Sequence, residues 1–423
     1  MTETVTVSPR APRRRIVFAG RGALTALSLA GLVAAATLGC STTVHGGASK
    51  APPSADASDL NPGNYPTAPR PTGGKAGPKA GPYVEARRMS DFVTMPFEVD
   101  PDLTGGLGKI GTFNGPFKGA DAVGVIFDTV FPEAAGRDYV TGFMTSREHT
   151  SDTTPNLHNA VLRYATPEAA AAAAAELGTN GGPDPTKYPD NTAPDSTPTS
   201  IPRHAETRAI TWGPSESFTV AAYTAHGPYL LAQESYSKTG SDDAINLVAD
   251  ALDKQIPLID RFTPTPVDEI ADLQLDPDGL LARTVEPPVD ERGRFRFGLY
   301  GVHGFLAYSD DPAGDEKLLT DAGVDLIALA GTDVYRARDA AGADQIVSAW
   351  TEIRGEDWDS IDGVPGLPDS HCFKTVTSPG SDYSRSHYSC LLTADRYAID
   401  VASSQKDAVY QQAAAQYLML TAE

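Results

Sequence analysis

The chain has 423 residues, 40% of them hydrophobic and 21% charged, which excludes a globally disordered protein and provides for two or three domains with real cores. Its 34 basic and 55 acidic residues give a net charge of -21; five arginines against Glu3 put +4 on residues 1–39, so -25 falls on residues 40–423. A body that acidic repels phosphate backbones, so no nucleic-acid partner is expected, and wide contact with anionic lipid headgroups is disfavoured.

At the amino terminus Arg10, Arg13, Arg14, Arg15 and Arg21 accompany an apolar run from Ala23 to Leu38, followed by Gly39 and Cys40. That order reads as an export signal over residues 1–39. The run makes about 24 Å of helix against roughly 30 Å of hydrocarbon, so a cleaved leader is the better reading than a permanent span. The basic flank stays inside and everything after Cys40 goes outward. Arg14 and Arg15 leave general and twin-arginine export both open. Ala36 to Cys40 (ATLGC) resembles the lipobox of bacterial lipoproteins, although Thr37 replaces the usual leucine. The resemblance implies lipidation at Cys40 and a firm membrane anchor, since each buried acyl methylene contributes about 0.8 kcal/mol.

Residues 41–82 hold eight prolines and seven glycines, with Val44, Leu60 and Tyr65 as the sizeable apolar side chains. Such a stretch reads as a disordered tether over residues 40–82, reaching between about 35 Å as a coil and about 130 Å fully extended. The body is expected from Tyr83. Within it, Asn159 to Tyr164 reads as a strand, followed by a helix with Thr166 as N-cap, Pro167 at its first position and Gly178 as its stop. A Pro/Asp/Thr-rich loop, 178–203, leads to strands near Ala209–Trp212, Phe218–Tyr223 and Tyr229–Ser235. A helix with Ile245, Val248, Leu252 and Ile256 on one face comes next.

The same order returns downstream. Asp333 to Arg338 reads as a strand, and Asp339 as the cap of a helix carrying Ile346, Trp350 and Ile353. A loop, 355–370, precedes strands near Cys372–Val376, Tyr388–Leu392 and Tyr397–Ala402, and a helix near Gln405–Leu420 ends the chain. The expectation is an α+β protein of two related domains, 83–270 and 271–423. Each is an antiparallel sheet with its helices on one face, and the Pro/Asp-rich stretch Thr263–Asp290 lies at the boundary.

Chemistry-bearing motifs are few. With Cys40 lipidated, Cys372 and Cys390 remain as a pair in an oxidising compartment, which favours a disulfide. A metal site from His371, Cys372, His387 and Cys390 is the weaker alternative, because successive strand residues point to opposite faces. Gly106, Gly108 and Gly111 have the spacing of a dinucleotide fingerprint without its strand and helix, so they read as a loop. Asp357, Asp359, Asp362 and Gly363 only faintly suggest a calcium loop; a solvated acidic loop fits better. Asp310, Asp311, Asp315 and Glu316 read as the start of a short helix. No nucleophile elbow, HExxH pair or phosphate loop occurs, and His149, His158, His204, His226 and His303 are scattered. Trp212, Tyr223, Tyr229, Tyr236, Trp350, Tyr388, Tyr397, Tyr410 and Tyr417 read as core, or as lining for a groove on an open sheet face.

Gly63 to Arg70 (GNYPTAPR), Glu85 to Pro101 (EARRMSDFVTMPFEVDP) and Ala413 to Tyr417 (AAAQY) resemble an uncharacterised family of actinobacterial (mycobacterial and nocardial) cell-envelope lipoproteins with two related domains. The resemblance spans nearly the whole mature chain and carries no assigned chemistry. More loosely, each copy is similar in element order to the disulfide-bearing extracytoplasmic sensor domains of some mycobacterial serine/threonine kinases. The expected function is a lipid-anchored binding or interaction module on the extracytoplasmic face of the cell membrane. An envelope hydrolase and a structural spacer are the alternatives. No catalytic residue, metal or cofactor is assigned; an apolar, glycan or protein ligand and the oligomeric state stay open. Replacing Cys40 (Cys40→Ala) is expected to leave uncleaved precursor or release the protein into the medium, read by mass and by cell fractionation.

Overall fold

The computed structural model describes residues 57–106, 114–149, 155–214, 217–287, 296–377 and 384–422; the leader, Cys40, Gly108 and Gly111 lie outside them. Residues 53–423 form one compact unit. The chain enters through α1 (Gly77–Met89) and α2 (Pro96–Val99). Then β1 (Gly115–Pro116), α3 (Ala122–Ile126), β2 (Tyr139–Glu148) and β3 (Asn156–Tyr164) build one side of a sheet. After α4 (Pro167–Asn180), the strands β4 (Thr197–Ile201), β5 (His204–Trp212), β6 (Phe218–His226) and β7 (Tyr229–Ser237) return as a meander from the far edge. This brings β7 beside β3, and α5 (Ser241–Ile259) completes the copy.

The second copy repeats this strand for strand. β8 (Gly298–Tyr300), α6 (Val302–Phe305), α7 (Pro312–Asp321), β9 (Leu326–Leu329) and β10 (Asp333–Arg336) precede α8 (Ala340–Asp357). The meander β11 (Asp359–Ile361), β12 (His371–Thr377), β13 (Arg385–Ala394) and β14 (Tyr397–Ser403) follows, then α9 (Lys406–Thr421). The seven-stranded orders are β1-β2-β3-β7-β6-β5-β4 and β11-β12-β13-β14-β10-β9-β8, the same arrangement read from opposite ends. All pairings are antiparallel, and the registers agree: Arg163 faces Tyr229 as Arg336 faces Tyr397. The helices after β3 and β10 start alike, with Thr166 Oγ1 accepting from Ala169 N at 3.2 Å and Asp339 Oδ1 from Gly342 N at 2.9 Å.

The two sheets of an α+β protein are thus in place, but the helices are distributed differently from the expected single face. In β3, Ala160 and Leu162 pack with α4, whereas Val161 packs with α5. Across β14, Ala398 packs with α8, and Ile399 and Val401 with α9. The reason lies in runs such as Leu230-Leu231-Ala232 and Cys390-Leu391-Leu392, which are apolar at both parities and so demand cover on both sides. One buried cluster then reaches from the α5 face of the first sheet to the α8 face of the second, and takes in Met89, Val93, Met95 and Phe97 from the entry segment. The copies therefore meet through unlike faces.

Both long loops are also shorter than the sequence suggests. Within 178–203, α4 continues to Asn180 and β4 forms an edge; within 355–370, α8 continues to Asp357 and β11 forms the equivalent edge. Asp359 is consequently a strand residue, not part of an acidic loop. These edge strands are mostly exposed, so no apolar alternation marks them.

The expected tether does not extend to residue 82. Leu60 is buried with Val364 and Leu367, and Tyr65 packs on Ala415 and Met419 of α9. The Tyr65 hydroxyl accepts from Gln412 Nε2 at 3.0 Å, and Arg70 donates to the carbonyls of Leu281 and Thr284 at 2.6 and 3.1 Å. A few well-placed side chains suffice to fix a Pro/Gly-rich strap against a preformed surface. Cys372 and Cys390 face each other across β12 and β13, and their sulfurs are bonded, 18 residues apart in sequence. Replacing both by alanine is expected to cost about 3 kcal/mol of stability, from the loop closed by the bond, measured by chemical denaturation.

Candidate functional site

The histidines do not converge. His204 Nε2 lies 2.9 Å from Asp253, His226 Nε2 2.6 Å from Asp260, His303 Nε2 3.2 Å from Glu98 and His149 Nε2 3.4 Å from Asp102, each a separate pair. The sulfur atoms of Cys372 and Cys390 bind each other, which removes the metal alternative with His371 and His387. Among the described residues no group of three or more His, Cys, Asp or Glu is placed to hold a metal ion. Asp311 caps α7 and Asp315 accepts from Trp350 Nε1 at 2.9 Å and from Ser309 Oγ at 2.6 Å, so that acidic run is structural. Helices cover both faces of each sheet, and the aromatic groove expected on an open sheet face does not form.

Among the described residues, His158 has the company of both a hydroxyl and a carboxyl group. On the α4 face of the first sheet its Nδ1 lies 2.8 Å from Ser146 Oγ and its Nε2 3.4 Å from Glu234 Oε2. The residue types are those of a hydrolytic triad, brought together by pairing β2, β3 and β7, which no sequence spacing announces. The surroundings deny that chemistry. Ser146, His158 and Glu234 are 1%, 7% and 6% exposed. Burial depresses the His158 pKa to about 4, and burial with the Asp128 charge raises Glu234 to about 8. At neutral pH both are uncharged, joined to Ser146 in a short polar row inside the core.

At the corresponding face of the second sheet, Arg354 donates to both oxygens of Asp400 at 3.0 and 2.9 Å and also to Ser389 Oγ. Neighbouring Asp333 has a pKa raised to about 7 by burial, opposed by Arg296 and reinforced by Asp400. This too is a packed ion pair rather than an open site.

A concave site lies elsewhere, where the two copies and their connecting segment meet. A cleft of about 630 Å³ is walled by α1, by residues 261–278 and by the strands β8 and β9. Its floor is apolar, with Phe92, Phe262, Leu275, Leu299 and Leu326, and Phe92 and Phe262 pack at 5.3 Å between ring centroids. Arg87, Arg88 and Arg261 line it together with Asp278 and Asp325, and both aspartates bridge to Arg336 at 3.4 and 2.7 Å.

Glu85 holds the α1 wall of the cleft together. Its carboxylate is completely buried and accepts from Arg88 at 2.5 Å, Arg163 at 2.7 Å, Thr265 N at 2.8 Å and Thr265 Oγ1 at 2.9 Å. Arg88 also stacks over the Phe262 ring at 5.6 Å. Gly81 permits the close approach of α1 to the connecting segment, since a Cβ there would run into the Ile270 carbonyl. Asp91 accepts from Gly304 N at 2.7 Å; burial raises its pKa, offset by that bond and by His303. None of these residues was singled out for chemistry by spacing. Arg87, Arg88, Asp91 and Phe92 do lie in the EARRMSDF segment that carries the family resemblance.

Residues 72–275 match the family model "Domain of unknown function (DUF7373) N-terminal" and residues 280–423 match its C-terminal counterpart. No curated protein matches the chain. Among solved structures, the extracellular domain of PknH from Mycobacterium tuberculosis is similar at 12% identity, covering 40% of this chain and 95% of that one, with a TM-score of 0.27.

The buried row yields a stability prediction. Glu234, raised from 4.5 to about 8, stabilises the fold below pH 4.5 and loses that contribution as pH rises to 8; His158, lowered from 6.5 to about 4, stabilises above 6.5 and loses it as pH falls to 4. Glu234→Gln is expected to raise stability by about 4 kcal/mol at pH 8 and by less than about 1 kcal/mol at pH 5, read from denaturation curves at the two pH values.

Proposed function

We propose that this chain, which belongs to the DUF7373 family across both of its domains, is an extracytoplasmic binding module held to the outer face of the cell membrane by lipid at Cys40. The observation that carries the reading is the cleft at the junction of the copies, concave, apolar-floored and edged by convergent charged groups, which is the usual make-up of a small-molecule site. Its lining contains no His, Cys, Ser or Lys, and its carboxylates are engaged, Asp91 by Gly304 N and Asp278 and Asp325 by Arg336. The one row with hydrolase residue types, Ser146, His158 and Glu234, is closed off inside the first sheet. A spacer needs no such cleft.

The anchor reading draws on the leader and the ATLGC segment. Among the described residues no helix is long and apolar enough to cross a membrane, which is compatible with attachment through a lipid. Native mass spectrometry of the full chain from its own host is expected to show a bound small molecule. Leu273→Trp, which fills the cleft, should remove it without lowering the melting temperature. Protein that carries no adduct, or a variant that retains it, refutes the reading.

A further inference from the structure

We infer that the cleft takes an amphipathic acid, an apolar chain ending in a carboxylate or phosphate, with the acid group at Arg88 and Arg261. This rests on the binding reading above and goes further by naming the ligand's chemistry.

Charge balance among the lining residues decides where the acid group sits. Beside Phe262, Glu85 is shared by Arg88 and Arg163, so one carboxylate serves two guanidinium groups and a positive charge is left over. Arg87 also lines the cleft, on bare backbone at Gly298 where a Cβ would run into its guanidinium, but it has a partner of its own and is left out of the balance. Arg261 is exposed at the rim, and among the described residues its side chain has no hydrogen-bond or ion-pair partner. One carboxylate of the lining, Asp91, is engaged by Gly304 N. The other carboxylates of the lining, Asp278 and Asp325, are matched by two guanidinium groups, Arg336 on both and Arg396 on Asp325 at 3.8 Å. The unmatched charge is therefore cationic and local, in a chain of net charge -21. An anion arriving against that net charge gains from these arginines only at close range, because fields beyond about 8 Å are screened at physiological salt.

The rest of the lining selects the ligand's body. Phe92, Phe262, Leu275, Leu299 and Leu326 offer apolar surface, while Gln274 and Thr263 are the only neutral polar amide or aliphatic hydroxyl side chains. A glycan needs many such partners for its hydroxyls and would leave them unpaired. An alkyl chain needs none. Arg88 is also preorganised: fixed by Glu85 and Thr265 and stacked on Phe262, it sacrifices little side-chain freedom when an oxyanion binds.

The test uses membranes containing the full chain and three photoactivatable probes, each a dodecyl chain with a mid-chain diazirine and ending in a carboxylate, a phosphate monoester or a hydroxyl. Crosslinks are mapped by mass spectrometry. Both acids, or one of them, should label residues of the cleft at least about fivefold above the alcohol. Arg261→Glu should lower that labelling roughly tenfold, Arg261→Lys should largely restore it, and neither should shift the melting temperature, because Arg261 is solvent-exposed. Preference for the carboxylate identifies a fatty-acid type of ligand, preference for the phosphate a phospholipid type; both support the inference. Equal labelling of the cleft by the alcohol overturns the acid class and leaves the binding site standing. Labelling confined to other surfaces by all three probes overturns both.

Discussion

A single buried carboxylate ties together the parts of the molecule that matter for its concave site. Glu85 lies on α1, Arg163 on β3 of the first sheet, and Thr265 on the segment that leads into the second copy. Four donors converge on its two oxygens, so the charge is neutralised where no water is available to do so. A buried ion that loses one partner costs about 3–5 kcal/mol, which makes the relative position of α1 and the connecting segment a narrow energetic minimum. The cleft wall is made of those same two pieces of chain, and Arg88 is fixed at its edge by the same carboxylate.

Duplication supplied the scaffold around that carboxylate, and divergence made the two halves differ where they meet. The equivalent helices α5 and α9 each bury glutamines that hold the chain segment preceding their own sheet. Gln255 binds the backbone of Phe92 and Thr94, each at 2.9 Å, and Gln416 binds Val285 N at 2.9 Å and the Arg283 carbonyl at 2.7 Å. Yet the first copy buries its α5 face in the shared core, and the second its α8 face. Packing unlike faces leaves an asymmetric seam, and the seam is bridged by Arg147 of β2, which donates to the carbonyls of Leu306, Ala307 and Ser309 at 3.1, 3.1 and 2.6 Å. An asymmetric seam can hold a cleft lined by arginines of the first copy and by Asp325 of the second. A symmetric one would repeat one charge pattern in both copies.

Much of the scaffold was legible in the sequence because its signals are local. Thr166 with Pro167 and Asp339 announced the starts of α4 and α8, and the strands read near Phe218–Tyr223 and Tyr229–Ser235 are β6 and β7 of a hairpin. The strands missed were β1, β2, β4, β8, β9 and β11, all on the outer sides of their sheets; most are two to five residues long, too short to show a period. β2 is longer, but it is buried over most of its length and mixes Thr, Ser and Arg with Phe and Met, so no alternation sets it apart. The strap at 57–76 was read as tether because composition averages over a segment, whereas Leu60, Tyr65 and Arg70 act individually on a surface made by residues more than 200 positions away.

The sequence by itself determined the class, the duplication and the net charge, since each follows from periodicity, capping residues and composition that act over a few turns of chain. Only tertiary structure decided which face of each sheet went to the shared core, that Ser146, His158 and Glu234 would be sealed in, and that Arg87, Arg88 and Arg261 would line one cleft. Those outcomes depend on contacts between segments far apart in the chain, and a side chain's charge acquires its meaning only from the dielectric and the partners that such contacts place around it.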